Sequence, residues 1–190
     1  MRRVVVAITG ASGAAIGVRV VERLAATQIA VHLVLSGAAE RTLAHEVGAT
    51  AASRLRALAH SVHAIDDVGA GIASGSFASA GMLVVPCSMH TLAAIANGLA
   101  DNLIVRAADV HLKERRPLLL LARETPLHLG HLRNMVAVTE MGGIVMPPVP
   151  AFYNKPASVD EIVDHLAAKA IDLLRLWPDQ LAPEWTGEAS

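Results

Sequence analysis

Cysteine is all but missing from this chain of 190 residues; Cys87 is the single one. One thiol cannot close an internal disulfide, which fits a reducing, cytoplasmic setting. Aromatic residues are scarce at 3%, and charged residues make up only 17%. Neither sign of charge prevails, the formal net charge being −1, so the basic excess of a nucleic-acid-binding protein is absent. Long apolar runs are missing as well: Gly, His, Arg and Asp interrupt each one short of a membrane span. The N-terminus reads as fold and not as a cleavable signal, since Arg2 and Arg3 lead straight into a strand-like run. What the chain does have is hydrophobic side chain, 53% of its residues. With so little charge beside it, part of that surface is expected to lie between the subunits of a homo-oligomer. The length suits one domain, 1–190, with a polar, irregular tail from about 178 to 190.

The stretch from Val4 to Gly17 sets the pattern for the rest. A β-branched apolar run, Val4 to Ile8, has the composition of a strand buried on both faces. Gly10 and Gly13 break it, with Ser12 between them, and from Ala14 the period becomes helical through Ile16, Val20 and Leu24. A strand, a glycine turn and a helix N-terminus together suit an anion such as phosphate. Ordinary turn chemistry is the alternative, because a Gly-x-x-Gly spacing is short. The third glycine of a dinucleotide fingerprint is absent, and so is the Gly-Lys-Ser/Thr of a nucleoside-triphosphate loop.

Further along, Val31–Leu35 reads as a strand ending at Ser36, which is either a helix N-cap or a ligand donor. A helix over 38–47 carries Glu46 near its end, by default a solvated acid. Another helix covers 51–59. The small residues from Ile72 to Gly81, including Ser74, Gly75 and Ser76, form a loop able to wrap an anion or merely to link elements. Met82–Val85 is a strand closed by Pro86. Cys87, Ser88, Met89, His90 and Thr91 then lead to a helix from about Leu92. Cys87 lacks an evident base and reads as a core thiol.

The helix over 103–116 places Arg106 and Lys113 on one face, with Asp109 and Lys113 at pairing distance in sequence. After Pro117, the apolar strand Leu118–Leu121 delivers Arg123 and Glu124 to its carboxyl end. A helix over 127–141 opens with His128 and His131, whose spacing could serve a metal; a third ligand is missing, so no metal is expected. Ile144–Met146 is the last strand, followed by a proline-rich loop with Phe152 and Tyr153. Ser158 and Glu161 form a capping box for the final helix, from whose apolar stripe Lys169 stands aside.

Alternating strands and helices predict a doubly wound parallel α/β sheet of five strands with the first one central. Its ligand crevice then lies beside the first glycine turn. Ser12, Ser36, Ser88, Thr91 and Arg123 would reach that edge from separate strand ends. Neutral donors with one arginine suit a phosphate on a bulky apolar ligand.

Five segments carry a resemblance: Ile8–Ala14, Pro86–Leu92, Arg106–Leu118, Arg123–Leu129 and Pro148–Tyr153. Together, and over nearly the whole chain, they resemble the UbiX-type flavin prenyltransferases. The resemblance implies a three-layer flavodoxin-like or Rossmann-like fold and a dodecameric assembly. It implies metal-independent transfer of a dimethylallyl group from dimethylallyl phosphate to N5 and C6 of reduced FMN. The prenylated FMN made there serves UbiD-type decarboxylases, including one of ubiquinone biosynthesis. By the same resemblance FMN is held by Gly10, Ala11, Ser12, Ser36, Ser88, Met89, His90, Thr91 and Arg123. Dimethylallyl phosphate is held by Tyr153 and Lys169, with Lys113, Arg106 and the Ser74–Gly75–Ser76 loop nearby, partly from adjacent subunits. Glu124 corresponds to the family's acid–base glutamate, Ser12 and Glu46 to a supporting pair, and Trp185 to a tail tryptophan over the prenyl pocket. Lys169 stands where arginine is common; it keeps the charge and loses the bidentate fork. Val105 stands where some relatives have a polar residue.

Two other functions share this fold. Flavin-dependent cysteine-type decarboxylases carry Pro-Ala-Ser-Ala-Asn-Thr and Pro-x-Met-Asn-x-x-Met-Trp stretches, both missing here. A non-catalytic flavin-binding subunit would have no need of Glu124, Lys113 and Tyr153.

Overall fold

The computed structural model describes residues 1–184 and residue 187. Six parallel strands form one sheet: β1 (Arg2–Ile8), β2 (Ile29–Leu35), β3 (Ser61–His63), β4 (Gly81–Cys87), β5 (Leu118–Ala122) and β6 (Ile144–Val145), in the order β3-β2-β1-β4-β5-β6. The connecting helices are α1 (Ala14–Ala25), α2 (Gly37–Glu46), α3 (Ala51–Leu58), α4 (Met89–Ala96), α5 (Leu103–Lys113), α6 (Leu129–Glu140) and α7 (Val159–Asp172). Strand alternation sorts the core into two layers. Val4, Val6 and Ile8 of β1 face α1, α2, α3 and α7, while Val5 and Ala7 face α4, α5 and α6. The result is the flavodoxin-like, Rossmann-like three-layer arrangement.

The sixth strand is a correction to the five expected. β3 has three residues, and its Val62 is 45% exposed, so it is a short edge strand without the apolar run that marks a buried one. Other boundaries move by one turn or less. The last helix ends at Asp172, and α4 opens at Met89 instead of Leu92, which puts Met89, His90 and Thr91 in its first turn. Beyond α7 the described residues form no helix or strand, but they are anchored: Leu176 and Ala182 are buried, and the N–H groups of Leu181 and Ala182 donate to the Asp172 carboxylate at 2.7 and 2.9 Å.

Close approach of α1 to the sheet depends on Gly17. A Cβ there would collide with the Val85 carbonyl oxygen and stand 3.1 Å from Ile8 Cδ1. Gly17→Ala is therefore expected to push α1 outward and lower stability by about 1–3 kcal/mol, the usual cost of overpacking. A urea midpoint unchanged from wild type would show that the helix relaxes without cost.

Candidate functional site

The strand order reverses between β1 and β4, and in such sheets the crevice opens outside the carboxyl ends of those two strands. The glycine turn after β1 forms one wall. Gly13 adopts φ +101° as the residue preceding α1, a conformation that favours glycine. Gly10 is glycine for a different reason, since a Cβ would stand 2.5 Å from Ala38 Cβ of α2.

Glu46 is not the solvated acid its position in α2 suggests. Its carboxylate accepts the Gly13 and Ala14 N–H groups, each at 2.9 Å, and the Ser12 hydroxyl also bonds to it. Partial burial works against its ionisation. The Ser12 hydroxyl, the Ala14 and Gly13 amides and the charge of Arg123 outweigh that burial and hold the carboxyl below its ordinary value. Two donors at the start of α1 that looked available to a phosphate are thus taken by the protein's own anion. The same contacts bring Ser12, Glu46 and Arg123 into one electrostatic neighbourhood, although they come from three different elements.

Ser36 proves to be the N-cap of α2, accepting from Ala39 N–H at 3.0 Å. That bond uses the oxygen and leaves the hydroxyl proton to donate elsewhere. Ser88 caps α4, accepting from Thr91 N–H at 3.3 Å while its hydroxyl reaches Thr91 Oγ1 at 3.1 Å. Cys87 is fully buried, and burial pushes its thiol pKa up, away from thiolate chemistry. Arg123 and Glu124 are exposed just past β5. Arg123 N–H donates to the Cys87 carbonyl at 3.2 Å, and Glu124 Oε1 accepts from Thr125 N–H at 3.0 Å. Ser12, Ser36, Ser88, Thr91, Arg123 and Glu124 therefore all stand at the carboxyl edge of the sheet.

The remaining predicted residues lie elsewhere. Lys113 closes α5 just before β5 begins, and pairs with Glu114. A Cβ on Gly75 would stand 2.8 Å from Lys113 Nζ, so the Ser74–Gly75–Ser76 loop packs against this lysine. Within that loop the Ser74 and Ser76 hydroxyls are 2.9 Å apart. The group sits at the amino edge: Ala80, just beyond the loop, donates to the Arg3 carbonyl at the start of β1. The five residues of β5, about 16 Å of strand, separate it from Arg123 and Glu124. Arg106 pairs with Asp109 at 2.6 Å, so the pairing open to Asp109 and Lys113 is not the one formed. Tyr153 occupies a single 3-10 turn beyond β6 and is 56% exposed. Its neighbour Asn154 is 3.3 Å from His165. Lys169 is exposed one turn further along α7, in a hollow shared with Asp172, Arg175 and Trp177. Trp185 lies outside the described residues. The His128 and His131 rings stack with centroids 3.5 Å apart, and His128 Nδ1 accepts from His131 N–H at 3.3 Å. Among the described residues no group of three or more His, Cys, Asp or Glu side chains could hold a metal.

Sequence reasoning missed two residues that shape these edges. Arg116 donates to the Gly75 carbonyl at 2.6 Å and also to that of Phe77, fixing the loop beside Lys113. Ser79 and the buried His111 are joined at 2.7 Å. Both Arg116 and His111 lie within the Arg106–Leu118 segment, whose density of cations was the available signal.

Fold and site define an α/β protein whose carboxyl-edge crevice is furnished for an anionic ligand. Residues 1–171 match the family described as Flavoprotein. A flavin prenyltransferase UbiX from Neisseria meningitidis serogroup B is 53% identical over 190 residues, covering 100% of this chain and 99% of its own. The crystal structure of AnUbiX in complex with FMN and dimethylallyl pyrophosphate superposes with a TM-score of 0.93 at 48% identity, over 99% of each chain. A dodecameric FMN-dependent UbiX-like decarboxylase from Escherichia coli O157:H7 gives a TM-score of 0.91 at 45% identity, over 97% of this chain and 100% of its own. The chain belongs to the Flavoprotein family and, within it, to the UbiX flavin prenyltransferases.

Glu46 yields a test that needs no ligand. Because its folded pKa is depressed, the stability it contributes is full above its ordinary value of 4.5 and is lost as pH falls through the lower folded value. Glu46→Gln is expected to cost about 0.5–2 kcal/mol at neutral pH, the range of a lost helix cap. The gap in urea midpoint from wild type should close toward about pH 3, in the range where carboxylates protonate. A gap that stays constant with pH would disprove the ionised cap.

Proposed function

We propose that this protein transfers a dimethylallyl group from dimethylallyl phosphate to N5 and C6 of reduced FMN, and that the prenylated FMN passes to a UbiD-type decarboxylase in the cytoplasm. The observation that carries this reading is the convergence of Ser12, Ser36, Ser88, Thr91, Arg123 and Glu124 on one sheet edge, in a chain 53% identical to a flavin prenyltransferase over its whole length. The residues fit FMN. The Ser36 and Thr91 hydroxyl protons, which the protein's own bonds leave to donate, and one guanidinium suit a phosphate monoester. The first turn of α4, at Met89 and His90, adds backbone donors at a positive helix end. Gly10 and Ala11 complete the wall beside the ring.

Reduced FMN supplies the nucleophilic N5 and C6. The chain has three tasks. Lys113, Arg106, Lys169 and the Tyr153 hydroxyl stabilise the phosphate that departs with the electron pair of the allylic C–O bond, which is work that cations can do without a metal. Apolar and aromatic surface shelters the allyl cation. Glu124 carries the proton lost from C6, its carboxylate held at the site by Thr125 N–H. Ser12 and Glu46 support it from the opposite wall.

Assembly belongs to the same reading. Lys113 and the Ser74–Gly75–Ser76 loop occupy the edge opposite the flavin-side group, so a complete site draws on neighbouring subunits. Leu129, Leu132 and Val136 leave an apolar face of α6 exposed at 59%, 45% and 55%, and Phe152 is 71% exposed. Such a surface suits burial between subunits. A dodecamer like that of the Escherichia coli relative is the proposed form.

Glu124→Gln keeps the shape and removes the proton carrier. FMN binding should survive, since Arg123 and the serines remain, while turnover falls by roughly 10²–10⁴-fold. Single-turnover absorbance with FMN reduced beforehand, at saturating dimethylallyl phosphate, measures this. Product formation at the wild-type rate would assign Glu124 a structural role instead. Wild-type protein that binds no FMN near micromolar concentration, or is active as a stable monomer by light scattering, would overturn the wider reading.

A further inference from the structure

Thr9 is a buried polar residue, 2% exposed, with no part in the chemistry described so far. It sits between the end of β1 and Gly10. The parallel ladder between β1 and β4 runs only as far as Ala7 opposite Val84. Beyond that point β4 contains Pro86, which has no N–H to give, and the pairing of β4 with β5 is irregular between Val84 and Cys87. Thr9 takes over where the ladder stops. Its backbone N–H and its hydroxyl both donate to the Pro86 carbonyl, at 3.2 and 2.8 Å, and its Oγ1 accepts the Ser88 N–H at 2.8 Å.

These bonds belong to a belt that crosses the whole carboxyl edge. Ser36 N–H donates to the Ile8 carbonyl at 3.1 Å, Thr9 ties β1 to Pro86 and Ser88, and Arg123 N–H donates to the Cys87 carbonyl at 3.2 Å. The belt therefore strings together the turns that carry Ser12, Ser36, Ser88 and Arg123. Its outer links are backbone to backbone. The middle link, across the crevice itself, has one backbone bond, Thr9 N–H to the Pro86 carbonyl, and two made by a side chain, which alone reaches Ser88.

We infer that Thr9 is a positioning residue for flavin binding: its hydroxyl sets the distance between the Ser12 turn and the Ser88–Thr91 turn. This rests on the reading that FMN binds at this edge. Without the hydroxyl, the Pro86 carbonyl loses its shorter bond and the Ser88 N–H loses its acceptor. The first turn of α4 is then free to shift relative to the glycine turn. A ligand gripped from both walls loses affinity when the walls are no longer held in register.

Thr9→Val keeps the shape of the side chain and removes both of its hydrogen bonds, whereas Thr9→Ser keeps the hydroxyl. FMN affinity is measured by quenching of flavin fluorescence, at a temperature where circular dichroism shows each variant folded. Thr9→Val should bind FMN roughly ten- to a hundred-fold more weakly, the reach of a buried polar group left unpaired. Thr9→Ser should restore binding to within a few-fold of wild type. In turnover, KM for FMN should rise in Thr9→Val while KM for dimethylallyl phosphate stays at the wild-type value, because Lys113 and its loop lie at the far edge. If Thr9→Val does not fold, Thr9→Cys, with a weaker hydrogen-bonding group, takes its place and should show an intermediate affinity. Folded Thr9→Val or Thr9→Cys with wild-type FMN affinity overturns the inference, and so does Thr9→Ser binding as poorly as Thr9→Val. Wild-type protein that fails to bind FMN would instead refute the proposed function, so the two failures are told apart.

Discussion

A proline without an N–H, at the strand beside the topological switch, is the constraint on which the ligand edge depends. Pro86 lies where the regular β1–β4 register has stopped at Ala7 opposite Val84 and where the β4–β5 register shifts before resuming at Cys87 opposite Ala122. Past that point β1 and β4 stay joined by the Thr9 N–H to the Pro86 carbonyl, and the Thr9 hydroxyl adds its own bonds to Pro86 and Ser88. Ser12, Ser36, Ser88, Thr91 and Arg123 stand at the edge so tied together.

Charge is placed sparingly and at the edges. The interior of the sheet is apolar apart from His32 of β2, which is buried against His63, with Leu118 to Leu121 fully buried in β5 and both faces of β1 sealed by helices. Ionised groups cannot enter that layer without large desolvation costs, so they collect where strands end. The two ends hold different sets. At the carboxyl edge Glu46 and Arg123 sit among serines, and the acid is held ionised by amide donors. At the amino edge Lys113, Glu114 and Arg116 surround the Ser74–Gly75–Ser76 loop, where the Lys113 ammonium draws the Glu114 carboxyl below its ordinary value. A sheet of this thickness cannot bring one edge to the other within a chain. α6 adds a third feature, an apolar face that leaves Leu129, Leu132 and Val136 exposed.

Much of this was legible along the chain. β-branched and leucine runs announce four of the six strands because strands buried on both faces are continuously apolar. Gly10, Ser12 and Gly13 announce the first turn, Gly13 because its backbone has φ +101° and Gly10 because a Cβ would meet Ala38. Ser158 and Glu161 announce the start of α7, where the Ser158 hydroxyl does accept from Glu161 N–H at 3.2 Å. β3 stayed hidden because an exposed edge strand of three residues leaves no apolar period to read.

The amino-acid sequence by itself determined the elements, their alternation and hence the parallel sheet, since those follow from local periodicity and from the special backbones of glycine and proline. It also determined which side chains reach the strand ends. Only the tertiary structure decided what those side chains do to one another. Glu46 reads as a surface acid along α2 and becomes the cap of α1 through space. Asp109 reads as a partner for Lys113 and instead holds Arg106. Thr9 reads as one polar residue before a glycine and turns out to tie two walls of a crevice together. Hydrogen bonds and ion pairs act over about 3 Å in space whatever the separation in sequence. The chain between Thr9 and Pro86, a separation of 77 positions, carries no local mark of the bond that closes over it.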